Sequence, residues 1–503
     1  MTLSLQGRIP TDATAAAPPQ QGVHVRGVAW LAWATAALSW LAILAHLPLL
    51  AGGRWDGDEF FFLFFLHRAG LPFFLSIQAF RPEPVSDIAL YLYAQAVYLF
   101  HAPLVTPFLA LIWALLIGAC VAAAWHGAAT GRLFRIAIGS TVAAMFLLGH
   151  QINEMLFWPA GAAYPISLAA ITAATLLTIN GCTASRGGRL AVGLALAVAA
   201  LSAATGLFFA AGFGGVMLLL ELPALWRGGR RGILRAAWYL VPFGLTLAIA
   251  GFIIRFGTAF KLTMAAPGNP YYHRPAASLI AMLHSLPGEL LLHDGSRQGM
   301  SHTGSVLVQI LLLAGFFGIA STGCFGKLPW RYRVALALAP VGVIVLTVFT
   351  SYYQYGAWGF ERHHTFCQCM VVLLLLVLGW SAAQWRPLPV RLGRRVGWPC
   401  LLLAVALGLS VRLPAIIHDY RLLPAIREAR DATWDSGMAR DSGAMRFVLP
   451  PKGLVLEGMV WTPGHFTAQP QRPDTPWYVP DVLRFFGKQS VDIVPSPATQ
   501  PAG

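Results

Sequence analysis

Apolar residues run through this chain in long blocks, without the period-two alternation of strands or the narrow stripe of a soluble helix. A block of about 20 residues can cross a bilayer as a helix. Such blocks lie near residues 28–51, 103–126, 134–151, 163–181, 190–204, 207–226, 236–256, 303–323, 334–350, 366–384 and 397–416. They predict about eleven transmembrane helices. The fifth block is short, and the break at Ser202–Gly206 reads as a tight hairpin. Up to about Gln21 the chain is polar and rich in Ala and Pro. It lacks the apolar region and cleavage site of a signal peptide, so the first block is expected to remain as an anchor.

Two stretches break the pattern. Between the first two long blocks, Phe60–Leu66 is apolar but too short to cross, which predicts an interfacial helix. The stiff turn Arg81-Pro82-Glu83-Pro84 follows, and Ser86 and Asp87 are placed to cap a helix over about Ile88–Phe100. After residue 416 the chain turns polar. Asp419 to about Asp435 reads as helix, Met445–Leu449 and Leu454–Val460 as strands, Tyr478–Phe486 as helix and Val491–Val494 as strand. The expected fold is an all-α polytopic membrane protein with a small C-terminal α/β lobe outside the membrane. Its parts are a tail (1–27), a membrane domain (28–416) with a first external loop at 52–102, and the lobe (417–503).

Composition narrows the class. Hydrophobic residues make up 57% of the chain and charged residues 11%, against about 25% charge in soluble proteins. That excludes a soluble globular domain, and the hydrophobicity excludes a disordered chain. The 35 Lys and Arg against 20 Asp and Glu leave a net charge of +15. The cations cluster in alternate loops: Arg132 and Arg135, Arg186 and Arg189, Arg227 to Arg235, Lys327 to Arg333, and Arg386 to Arg395. The positive-inside rule puts those loops and the N-terminus in the cytoplasm and the C-terminus outside. The charge is therefore a topology signal and implies no nucleic-acid partner. The six cysteines lie in blocks or near their cytoplasmic ends, so no disulfide framework is expected. Cys367 and Cys369 stand near His363 and His364, but their spacing on a helix points the thiols apart, and no metal set is assigned.

With this orientation the polar chemistry lies outside. Asp56, Asp58 and Glu59 follow the first block. They suit a general base at a membrane boundary, or equally serve as solvated loop charges and helix caps. His150 and Glu154, four apart, are expected on one helix face lining a cavity mouth. Trp158 and Tyr164 follow, as cavity walls or as belt aromatics. Lys261, Arg274 and Arg297 are cations on the side where cations are disfavoured, and Arg and Lys both suit phosphate. Glu361-Arg362-His363-His364 opens a late block; Arg362 would meet a phosphate or pair with a carboxylate. A nucleotide-binding P-loop, a dinucleotide turn and an HExxH motif are all absent from the sequence.

This layout resembles the GT-C glycosyltransferases, polytopic membrane enzymes that use polyprenyl-phosphate-linked sugars. More narrowly it is similar to a set of bacterial putative glycosyltransferases of that superfamily. The features carrying the resemblance are Asp58-Glu59 after the first block, Arg81-Pro82, Trp158-Pro159-Ala160-Gly161-Ala162-Ala163-Tyr164, and Glu361-Arg362. The Thr205-Gly206 stretch lacks an acidic residue found in many relatives.

The resemblance implies transfer from a polyprenyl-phosphate sugar donor to a cell-envelope glycan or lipid acceptor, at the outer face of a bacterial inner membrane. It implies Asp58 as catalytic base and Glu59 as second carboxylate. Arg81, Arg274 and Arg362, with His363, Lys261, Glu154, His150 and Tyr164, would bind substrate and phosphate. Some members use a divalent metal, but no ligand set in this sequence demands one. Two other classes fit a polytopic chain. A transporter or flippase would use a charge within the membrane, such as Glu221. A glycan ligase or polymerase would concentrate its chemistry in a late external loop.

Overall fold

The computed structural model describes residues 22–55, 57–78, 82–126, 131–257, 274–290, 300–440, 443–457, 462–468 and 475–496. Asp56, Arg81, Lys261 and Arg297 lie outside the described residues. Its helices, in order, are α1 (Gly22–His46), α2 (Asp58–Arg68), α3 (Gly70–Gln78), α4 (Pro84–Phe100), α5 (Val105–Trp125), α6 (Arg132–Leu147), α7 (Asn153–Leu156), α8 (Ala163–Ile179), α9 (Arg186–Ser202), α10 (Ala204–Phe252), α11 (Pro275–Glu289), α12 (His302–Ala320), α13 (Trp330–Tyr355), α14 (Glu361–Trp385), α15 (Val390–Met438) and α16 (Val479–Phe486).

Eight helices among the described residues are long and apolar enough to cross a membrane. This is the architecture of an all-α polytopic membrane protein. The eleven apolar blocks do not map one to one onto these eight. α6 and α9, with 16 and 17 residues, fall short of the length required. The blocks at 207–226 and 236–256 share α10, 49 residues long, which bends at Gly229 (φ 51°, ψ −140°). That left-handed backbone is one that glycine adopts without steric cost.

The bundle has two chemically different ends. At one, Gly326 donates its backbone N–H to the Ile179 carbonyl (3.0 Å), and Trp380 donates to the Gly326 carbonyl (3.3 Å). The clustered Arg loops open and close helices at this end. At the same end, α12 and α15 touch through glycines: a Cβ on Gly318 would lie 2.7 Å from both the Gly393 carbonyl and the Gly397 Cα. Small residues let helix backbones approach where apolar burial offers no driving force.

At the other end, α2, α3 and α4 lie between α1 and α5. Ser86 and Asp87 do not cap α4, which begins two residues earlier at Pro84. Both are buried in its first turn: Ser86 donates to the Ser202 carbonyl (2.8 Å), and Asp87 accepts from Gln78 Nε2 (2.7 Å). Pro at the helix start needs no N–H partner, which moves the boundary.

α15 runs 49 residues without interruption, so the last apolar block and the polar segment after it form one helix. At about 1.5 Å per residue it spans about 74 Å, more than twice a bilayer core. Its polar half carries three strands: β1 (Ala444–Leu449), β2 (Gly464–Thr467) and β3 (Ser490–Pro495). The order is β1-β3-β2, with β1 parallel and β2 antiparallel to β3. Residues 454–457 form a turn, not a strand. The reason is Asp419: fully buried, it accepts the backbone N–H groups of Leu454 (2.6 Å), Val455 (2.7 Å) and Leu456 (2.7 Å), which a sheet would need. An aromatic cluster fastens this segment to the first loop. Trp55 lies 4.8 Å from Phe60 and 5.6 Å from Trp434, and Phe60 lies 5.5 Å from Phe485.

Candidate functional site

The site is built around Glu154 on the short helix α7. Sequence spacing puts His150 on the same helix face, but the structure does not. α6 ends at Leu147, Gln151 adopts φ 54°, and α7 begins at Asn153, so no single helix carries both His150 and Glu154. A continuous helix would aim Glu154 back along α6; the break turns it toward α14 and the first loop. Its Oε2 accepts from the Arg362 side chain (3.2 Å) and from the Arg362 backbone N–H (3.3 Å). Its Oε1 lies 3.5 Å from Arg54 Nη1. Arg362 therefore pairs with Glu154 and not with its neighbour Glu361.

The Trp158–Tyr164 stretch walls this centre. Arg54 lies 5.0 Å and Arg362 6.0 Å from the Trp158 ring. Tyr164 hydroxyl is 3.0 Å from His363 Nε2, and His363 Nδ1 accepts the Phe360 backbone N–H (3.1 Å). Gly161 is required here, since a Cβ would run into the Glu154 carbonyl oxygen. Gly53 brings the first loop against the same segment, and Arg54 donates its backbone N–H to the Phe157 carbonyl (2.6 Å). The aromatic stretch, the Glu361-Arg362 pair and the start of the first loop thus meet in one place. Glu361 in turn lies near Glu457 of the C-terminal segment.

The two first-loop carboxylates open α2 and differ in surroundings. Glu59 is buried and accepts from the Tyr93 hydroxyl of α4 at 2.5 Å. Burial, with the Glu59 charge beside it, pushes the Tyr93 hydroxyl well above its usual range, so it stays a donor. Asp58 is partly exposed and faces the C-terminal segment. Burial raises the Asp481 carboxyl above its ordinary range; Arg484, 3.2 Å away, opposes this, and the Asp58 charge adds to it.

The other expected residues are scattered. Arg274 is exposed just before α11. His150 is buried, its backbone N–H bonded to Gln368 Oε1 (2.8 Å), and it lines a cavity between the helices. His364 Nδ1 lies 3.1 Å from Glu289, and Trp358 donates to Glu289 at 2.9 Å. Cys367 and Cys369 are buried in α14. Among the described residues, no group of three or more His, Cys, Asp or Glu side chains is placed to hold a metal ion.

Three cations escaped the pattern reading. Arg54 pairs with a residue 100 positions away, which no local spacing reveals. Arg412 is 5% exposed and lines the same cavity as His150, Gln368 and Ser305; among the described residues its Nε and the Ser305 hydroxyl have no hydrogen-bond partner. It stands inside the last apolar block, and a cation there is itself a functional signal. Arg430 lines a second cavity, between residues 52–55 and the C-terminal segment. Nothing in the sequence near Arg430 marks it. No protein family, curated protein or solved structure matches the chain.

Proposed function

We propose that this chain is a membrane glycosyltransferase of the GT-C type. It moves a sugar from a polyprenyl-phosphate donor to a cell-envelope glycan or lipid acceptor. The observation that carries the reading is the cavity under the Glu154 centre. Its walls are mostly apolar, among them Met145, Phe146, Val308 and Val411, and the buried Arg412 points its charge into it. Arg412 lies about 25 Å along α15 from Arg395 at roughly 1.5 Å per residue. That is close to the far side of a hydrocarbon core of about 30 Å. An apolar polyprenyl chain suits such a space.

In this reading the end bearing Glu154 is outside, the arginine-rich end is cytoplasmic, and the C-terminal segment is an external lobe. Asp58 accepts the proton of the acceptor hydroxyl. The acceptor oxygen bonds to the anomeric carbon as the bond from that carbon to the phosphate oxygen breaks. The configuration inverts, and polyprenyl phosphate leaves. Glu59, held by Tyr93, positions the start of α2. Arg362 and Arg54, held by Glu154, position the wall of the site. A divalent metal enters no step.

The transporter alternative relied on Glu221. That carboxylate is satisfied near the arginine-rich end, 2.8 Å from Arg331 Nε and 2.7 Å from the Tyr239 hydroxyl. A structural pair of this kind favours the enzyme reading.

The test is Asp58→Asn and Glu59→Gln in cells whose envelope glycan is measured. Asp58→Asn should stop transfer and accumulate the lipid-linked sugar. Full modification by both variants, with the protein stable and inserted, overturns the assignment.

A further inference from the structure

The second cavity has a one-sided chemistry. It lies between Gly52–Trp55 of the first loop, α15, and the β1 segment with the turn after it. Three buried N–H groups on its wall have no acceptor among the described residues: Trp55 Nε1, Arg430 Nε and Arg430 Nη1. Arg54 adds a second guanidinium. Asp431, Tyr93 and Glu59 are near enough to act on the Arg430 charge, yet no acceptor reaches those two nitrogens.

Thr433, the lining hydroxyl, is already used: it donates to the Ala429 carbonyl (2.9 Å) and accepts from the Val448 N–H (2.9 Å). The remaining walls are apolar, including Ile426, Phe447, Pro450 and Leu456. Buried donors without acceptors are costly, and a cation among them costs more. A wall that offers donors and positive charge lacks only an anion with several acceptor oxygens.

Place narrows the ligand further. Asp58 and Glu59 begin α2 three residues beyond Trp55, and the apolar walls of the cleft suit the C–H faces of a sugar ring.

We infer that this cleft binds an oxyanion carried on a sugar, the acidic group of a phosphate- or carboxylate-bearing acceptor. Its role as acceptor rests on the glycosyl-transfer reading; the anion site itself does not. Arg430 forks onto two oxygens of the anion and Trp55 donates to a third. The C-terminal segment supplies half of the cleft, so it selects the acceptor and sets it beside Asp58.

The experiment uses the full-length protein in detergent, titrated by calorimetry at low salt with glucose 1-phosphate, glucuronate and neutral glucose. At least one anion should bind saturably, and glucose should not. The preferred anion names the acid of the acceptor. Arg430→Leu and Trp55→Phe should each weaken binding tenfold or more. Arg430→Lys, which keeps the charge and loses the fork, should fall between. Arg427→Leu, an exposed position one turn away, should leave binding unchanged.

Undiminished anion binding by Arg430→Leu, equal binding of glucose, or no saturable binding of either anion by the wild-type protein overturns the inference. Transfer by Asp58→Asn separates the two claims. If transfer persists while the anion site stands, the transferase reading alone fails. If transfer stops and no anion binds, the anion site alone fails.

Discussion

The Glu154 centre and the Arg430 cleft use the same residue types and reach opposite states. At the first, one carboxylate from α7 meets two arginines, one from the first loop and one from α14. At the second, Nε and Nη1 of the half-buried Arg430 and the buried Trp55 indole N–H line a cavity with no acceptor for them among the described residues. A buried charge that is paired fixes the surrounding elements. A buried charge left unpaired lowers stability, and such a cost persists where a ligand repays it. The comparison separates residues that build this end of the bundle from residues that wait for a substrate.

Substitutions at the two places should therefore move stability in opposite directions. The largest effect is expected from Glu154→Gln, which leaves Arg54 and Arg362 without their carboxylate. Removing one partner of a buried pair costs about 3–5 kcal/mol. Thermal unfolding in detergent should show a large drop in midpoint, and an unchanged midpoint would break the comparison.

Next is Tyr93→Phe, which removes the hydroxyl that holds Glu59. Hydrogen bonds to charged groups contribute about 1.5–3 kcal/mol. A fall of that size in denaturant stability is expected; no fall would mean that Glu59 is not held by Tyr93.

Gly161→Ala should cost about 1–3 kcal/mol by overpacking against the Glu154 carbonyl. It should also displace Glu154, so pairing it with Glu154→Gln should give less than the sum of the two losses. Strict additivity would show that Gly161 acts elsewhere.

The smallest effect has the opposite sign. Arg430→Leu removes two buried N–H groups that lack acceptors among the described residues, from a half-buried side chain, and the unfolding midpoint of the ligand-free protein should hold or rise. A gain of about 1 kcal/mol or less is expected. A clear loss would place Arg430 with the paired, structural arginines.

Much of this was legible in the chain. The apolar blocks mark where the long helices run, because about 20 apolar residues are required wherever a helix crosses lipid. The Trp158–Tyr164 stretch and the Glu361-Arg362 pair stood out as polar or aromatic groups at block ends, and they do meet. Local patterning failed where the backbone departs from its period. Gln151 breaks the helix that would have aligned His150 with Glu154. Asp419 draws three N–H groups out of a would-be strand. Pro84 starts α4 ahead of its apparent caps.

The sequence by itself determined the class of the molecule, the course of its long helices and which end is rich in arginine. These follow from composition and from periods a few residues long. Only the tertiary structure decided which charges are paired. Glu154 finds partners 100 and 208 residues away, whereas Arg412 and Arg430 face cavities. The physical reason is range. A hydrophobic block is a local property of the chain, but the partner of a buried charge depends on which helices pack beside it.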